Sequence, residues 1–334
     1  MRRRSEIVLA TAVLAGTALL LAQQKPPAGK PPAAAQDDTG DAIFTADTRL
    51  VPLNVTVTDK AGHLVTGLTR GAFTILENGV VQQIKDFKGE DVPVSLGLII
   101  DNSGSMREKR QSVESSALAL VRESNPQDEA FVVNFNDEAY LDAPADGRGL
   151  TGDIKVLEQG LTKIDSRGGT AMRDAIRMSM DHLKKYAKRD KKVILIVTDG
   201  NDNASSETLS AIVRQAQQED ILVYAIGLLS EEEKKEAQAA KRALDLLTNS
   251  SGGQAFYPKD VSDVERIAHE VAHDIRNQYT ITYTPANQKL DGSFRTIKVM
   301  VKAPGNPLAR TRQGYYATPE DKHPAPSASR GSVQ

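Results

Sequence analysis

The chain has 334 residues, 40% of them hydrophobic and 26% charged, which suits one large domain plus a smaller one and predicts folding over most of its length. A net charge of −2 with no long basic stretch excludes nucleic acid as an expected partner, and 4% aromatics without Trp argue against a base- or sugar-stacking platform. With no cysteine, a disulfide framework and a lipidated cysteine are both excluded.

The chain opens on "MRRR", then an almost unbroken apolar run from Ile7 to Ala22, then "QQKPPAGKPPAAAQ". A basic start, a short apolar core and a polar continuation make residues 1–22 a signal peptide or, if uncleaved, an N-terminal anchor. Leu20 stands where a cleavage site wants a small residue, and the run is short for a comfortable membrane span. Either outcome predicts an exported protein: periplasmic, secreted, or held to the membrane by this segment alone. Residues 23–46, rich in Pro and Ala, read as an extended linker.

From Arg49 the pattern has period two: Val51, Leu53, Val55 and Val57 alternate with polar residues. "FTILENGVVQQIKDF" follows, with Asn78-Gly79 as a hairpin signal. The same alternation returns at Tyr279, Ile281 and Tyr283 and, beyond an Asp291-Gly292 turn, at Ile297, Val299 and Val301. Each segment is too short to hold a core by itself. Residues 47–91 and 278–318 are therefore expected to pair into a small antiparallel β-sandwich, with 92–277 inserted between them and 319–334 a disordered tail.

The inserted segment carries the aliphatic runs "VSLGLIID", "AFVVNFND", "KVILIVTD" and "ILVYAIGL", continuous as in strands buried on both faces. A short strand fits Ala139–Ala143, and helices fit 105–123, 170–187, 205–219, 231–248 and 260–277. This alternation predicts an α/β fold: a Rossmann-like, doubly wound, mostly parallel sheet with helices on both faces. In the common strand order 3-2-1-4-5-6, strands one and four flank the switch point where such sheets bind ligands. Asp101 ends strand one and Asp199 ends strand four. Ser103 and Ser105 follow Asp101 directly, and Thr170 in "SRGGTAM" sits on a glycine-rich loop at the same end of the sheet. These five side chains all offer oxygen, with no nitrogen or sulfur, a donor set suited to Mg²⁺ and next to Mn²⁺ or Ca²⁺.

"DNSGS", the Thr of "GGT" and the Asp of "TDG" resemble the metal-ion-dependent adhesion site of von Willebrand factor A domains, over about 185 residues that share the strand–helix order. By that resemblance Ser103, Ser105 and Thr170 give hydroxyl oxygens to the metal, Asp101 and Asp199 act directly or through water, and one position stays open for a partner's Asp or Glu. The flanking segments, with "VTGLTRGAFTILENG", "YTITYTP" and "RQGYYA", look like VWFA-related exported proteins of Acidobacteria. Relatives with an adjacent second metal site carry further acids after the second Ser; here "MREKR" offers Glu108 alone, so one metal is expected.

Two rival chemistries fit less of the sequence. A serine hydrolase needs a base, but His182 lies in a lysine-rich helix, His63 lies in the other proposed domain, and no G-x-S-x-G elbow exists. "HEVAH", His269 to His273, matches the H-E-x-x-H zinc-peptidase pattern, but no third ligand follows at a matching spacing. The expectation is a non-catalytic, exported protein-binding module that takes a partner's carboxylate through Mg²⁺; an envelope-assembly or chaperone-like subunit is the alternative.

Overall fold

In the computed structural model, residues 49–319 are described, apart from 90, 123–124, 145–147, 164–165 and 230–233. The expected signal segment, the linker and the tail from 320 onward lie outside the described residues.

The chain enters through β1 (Val51–Thr58) and a hairpin of β2 (Phe73–Glu77) and β3 (Val80–Lys88). Asn78 and Gly79 turn that hairpin with φ of 48° and 81°, the left-handed pair that a two-residue turn requires. Next come β4 (Val94–Asp101), α1 (Arg110–Arg122), β5 (Glu129–Phe135), β6 (Ala139–Ala143), α2 (Ile154–Leu161) and α3 (Met172–Tyr186). Then β7 (Lys191–Thr198), α4 (Leu209–Gln218), β8 (Ile221–Gly227), α5 (Lys234–Ser251), β9 (Ala255–Phe256) and α6 (Val264–Arg276) complete the inserted segment. The chain returns through β10 (Tyr279–Thr284), β11 (Phe294–Val301), β12 (Leu308–Arg310) and β13 (Gly314–Tyr316).

Among the described residues two sheets form. The inserted one is six-stranded in the order β6-β5-β4-β7-β8-β9, which is the expected 3-2-1-4-5-6 arrangement. All its pairings are parallel except β5 with β6. Its central strands β4, β5, β7 and β8 are buried almost throughout, because helices cover both faces. Val113, Ala117 and Leu120 of α1, Leu157 and Leu161 of α2, and Val264, Ile267 and Val271 of α6 pack on one face. Met172, Ile176 and Met180 of α3, Ile212 of α4, and Leu244 and Leu247 of α5 pack on the other. Each of these side chains other than Ala117 contributes about 1.5–3 kcal/mol through apolar burial.

Local chemistry shifts three helix starts from their expected positions; α6, expected from 260, begins at Val264 after a 3-10 turn, Val261–Asp263. The segment expected as one helix over 105–123 opens with a 3-10 turn, Gly104–Glu108, before α1 begins at Arg110. Helix α4 begins at Leu209 rather than 205, because Asp202 and Asp174 accept hydrogen bonds from the backbone and hydroxyls of Ser205 and Ser206. Thr208 then caps the helix by accepting from the Ala211 N–H.

The flanking segments pair with each other, as the alternating patterns imply, into one seven-stranded antiparallel ladder ordered β12-β1-β10-β3-β2-β11-β13. Its core gathers Val51, Leu53, Val55, Phe73, Ile75, Tyr279, Ile281, Tyr283 and Val299. Strand β1 departs from simple alternation: Asn54 and Thr56, on its polar face, are buried too. That face meets the inserted sheet. Thr56 Oγ1 donates to Asp274 Oδ1 of α6 at 2.8 Å, and the same carboxylate accepts from Tyr224 Oη of β8 at 3.0 Å and from Arg310 of β12. Gln278 Nε2 donates to both Thr56 Oγ1 and Tyr224 Oη at 3.0 Å. Burial pushes the Tyr224 phenol well above its ordinary range, so it remains a donor. The two sheets share one compact unit.

Candidate metal centre

Asp101 is the last residue of β4, still paired there with Phe135 of β5 and buried. Strand β4 pairs with β7 in parallel register up to Ile100 opposite Val197, which brings Asp101 beside Thr198. Thr198 Oγ1 donates to Asp101 Oδ2 at 2.6 Å, and the Ser103 N–H donates to Asp101 Oδ1 at 2.8 Å. The carboxyl is 1% exposed, and burial together with the neighbouring Asp199 charge pushes it up to about 6 against those hydrogen bonds.

The second serine closes the circuit. Ser103 Oγ and Ser105 Oγ lie 3.1 Å apart, and Ser105 Oγ donates to Asp199 Oδ1 at 2.8 Å. Asp199, immediately after β7, is fully buried. Four of the five expected side chains, Asp101, Ser103, Ser105 and Asp199, thus belong to one connected cluster.

Thr170 reaches the same end of the sheet through backbone contacts. The Gly104 N–H donates to Gly168 O at 3.3 Å, and the Arg167 N–H donates to Asn102 O at 3.0 Å, joining its loop to the serine loop. On the other side, the Thr170 N–H donates to Asn203 Oδ1 at 2.8 Å and Thr170 O accepts from the Asn203 N–H at 3.1 Å, joining it to the loop after Asp199. Thr170 is 5% exposed. Gly168, at φ 76°, leaves the space that Asp137 uses: a Cβ there would lie 2.1 Å from Asp137 Oδ2, whose partner oxygen accepts from the Gly169 N–H at 2.7 Å.

This donor set fits a hard divalent cation. Two buried carboxylates and hydroxyls on three adjacent loops supply oxygen only, and the raised Asp101 marks a place where added positive charge would be stabilised. Among the described residues no group of three or more His, Cys, Asp or Glu side chains is placed to hold a metal, so such a site depends on its hydroxyls.

Three contributors escaped the sequence reading. Lys109 Nζ pairs with Asp199 Oδ2 at 2.8 Å, and its side chain is only 6% exposed. Its signal was its position four residues after Ser105, one helical turn on, in a stretch read only for acids. Thr198 was legible as the residue opposite Asp101 in a parallel register, and Asn203 had no pattern to find it by.

The H-E-x-x-H residues lie elsewhere. On α6, His269 is half-buried and Glu270 exposed; Glu270 faces Arg266 at 3.5 Å and His269 faces Glu265 at 4.0 Å. With Ala272, His273 and Arg276 they line an open surface depression. The buried face of α6, including Val264, Ile267 and Val271, packs on the sheet. His182 is buried against Phe131 and Tyr186, with its Nε2 2.7 Å from Gly149 O.

Comparisons with known proteins bear on the same segment. A family model described as the von Willebrand factor type A domain matches residues 96–201, which include Asp101, both serines, Thr170 and Asp199. Calcium-activated chloride channel regulator 1 of Mus musculus is 26% identical over 167 residues, covering 49% of this chain. The match takes in only 17% of that protein's own length. Among solved structures, a von Willebrand factor type A protein from Catenulispora acidiphila aligns at TM-score 0.48 and 14% identity, covering 81% of this chain and 75% of its own. Proximal thread matrix protein 1 from the mussel byssus, in a structure with a zinc-occupied MIDAS motif, aligns at TM-score 0.45 and 16% identity, covering 58% of this chain and 48% of its own.

Proposed function

We propose that this chain, which carries a von Willebrand factor type A domain at residues 96–201, is an exported, non-catalytic binding module that takes a carboxylate of a protein partner at a divalent cation held by Asp101, Ser103, Ser105, Thr170 and Asp199. The domain type is one that often mediates protein–protein interaction. The observation that carries the reading is the hydrogen-bonded run Ser103–Ser105–Asp199 beside buried Asp101, four oxygen side chains from two loops gathered at the carboxyl end of the sheet.

A bound Mg²⁺ would supply a Lewis-acidic position for an incoming Asp or Glu oxygen. The chain's own residues do the rest. Thr198 and the Ser103 N–H fix both oxygens of Asp101, so that carboxylate is oriented before any ligand arrives. Asn203 and Asp137 hold the Thr170 loop through its backbone, leaving the Thr170 hydroxyl outside those bonds. Export is supported by the basic-then-apolar start of the sequence. No helix among the described residues is long and apolar enough to cross a membrane.

Calorimetry with Mg²⁺ tests the site. Ser103→Ala and Asp199→Ala should each weaken Mg²⁺ binding by about tenfold or more, since each removes a donor or a charge from an oxygen-only shell. Unchanged Mg²⁺ affinity in both variants overturns the assignment.

A further inference from the structure

Lys109 brings a positive charge into contact with a residue proposed to hold a cation. Its ammonium is 2.8 Å from Asp199 Oδ2, while the other oxygen of that carboxylate takes the Ser105 hydroxyl. The residue is 5% exposed and Asp199 is 0% exposed, so water screens the pair little. Its backbone is fixed between two turns: the Lys109 N–H donates to Met106 O at 3.0 Å, and Lys109 O accepts from the Val113 N–H at 3.2 Å, which opens α1. The ammonium is thus delivered by the first turns of the segment that also carries Ser105.

We propose that Lys109 tunes the charge of the cup: it adds a positive charge at the carboxylate of Asp199, which loosens the metal and selects an anionic partner. The inference rests on the metal reading above. Counted over these three side chains, Asp101 and Asp199 as carboxylates and Lys109 as an ammonium sum to one negative charge. A divalent cation makes it one charge positive, and a single partner carboxylate brings it to neutrality. Without the lysine, the loaded cup is already neutral, and an incoming carboxylate adds an uncompensated negative charge at a buried site, which is costly. The same positive charge repels the metal at short range, where the protein interior screens poorly. Lysine suits this role because its ammonium engages one oxygen as a point charge, leaving Asp199 Oδ1 facing Ser105.

The opposing account makes Lys109 a support that merely orients Asp199, and the two differ in sign. Calorimetry with Mg²⁺ and Mn²⁺ on Lys109→Met should show metal binding tightened by about tenfold or more. Lys109→Arg, which keeps the charge, should not tighten metal binding. Acetate, titrated into Mn²⁺-loaded protein and followed by water-proton relaxation, should act at lower concentration on wild type than on Lys109→Met. The metal-free Lys109→Met protein should melt below wild type, and saturating Mg²⁺ should close that gap. Should Lys109→Met fold poorly, Lys109→Gln serves in the same titrations. Unchanged or weaker metal binding in the uncharged variants overturns the proposal while leaving the metal site intact. If wild type, Ser103→Ala and Lys109→Met all fail to bind metal, the metal reading itself falls, and Lys109 becomes a structural counter-ion of Asp199.

Discussion

Replacing Asp274 by Ala would remove the carboxylate that joins three elements from both sheets. In the native protein it is 5% exposed and accepts from Thr56 of β1 at 2.8 Å, from Tyr224 of β8 at 3.0 Å, and from the Arg310 guanidinium of β12. Truncation leaves the guanidinium without that partner and two further donors unsatisfied. Breaking a buried ion pair from one side costs about 3–5 kcal/mol. Arg310 keeps 24% side-chain exposure and can recover some hydration, which places Asp274→Ala toward the lower end of that range. For a protein of this size each kcal/mol moves Tm by about 2 °C, so the expected fall is about 6–8 °C. Asp274→Asn keeps one acceptor oxygen and should lose roughly half as much, and Thr56→Val, which removes one donor, about 1–1.5 kcal/mol. Thermal unfolding followed by circular dichroism reads all three. A fall below about 3 °C for Asp274→Ala, or equal losses for the Ala and Val variants, refutes the claim that this carboxylate is the anchor between the sheets.

Two further outcomes follow from the same end of the molecule. Burial lowers Lys191 to about 8, with its ammonium on Ile275 O and the Asp274, Asp91 and Asp128 charges opposing the shift. The unfolded chain keeps that proton until near 10.4, so it binds more protons than the native state between about pH 8 and 10.4. Stability should therefore rise with pH across that window, by at most about 1.4 kcal/mol per unit, and urea unfolding of Lys191→Met should show the slope removed. On the outer face of α6, replacing half-buried His269 and exposed His273 by Ala should cost no more than about 1 kcal/mol and leave the Mg²⁺ titration as in wild type; lost Mg²⁺ binding would relocate the metal site to the H-E-x-x-H face.

Much of the inserted sheet was legible because its determinants are local. Continuous apolar runs such as "KVILIVTD" mark strands buried on both faces, and stripes such as Val113, Ala117, Leu120 and Val121 mark the helix that covers them. Once the strands are counted, the known preference for one winding order puts the ends of β4 and β7 side by side, and Asp101 and Asp199 with them. The flanking strands were equally visible, but their partners lie about two hundred residues away, as Leu53 opposite Ile281 shows. Period two says which face of β1 is apolar; it carries no sign that Asn54 and Thr56 on the polar face would be buried against the other sheet.

What the sequence determined by itself is the chemistry available at the cup: two serines fixed two residues apart behind a strand, an acid at each of two strand ends, and a threonine after two glycines. Only the tertiary structure decided which of these groups meet, and with what else. Ser105 reaches across 94 residues to Asp199, and Lys109 reaches 90 residues to the other oxygen of the same carboxylate. The physical reason is that a side chain's type is written locally, whereas its charge environment depends on which distant groups share its volume after water has been excluded. The lysine in "MREKR" is an ordinary surface residue by pattern and becomes a buried counter-ion only when β4 and β7 lie side by side.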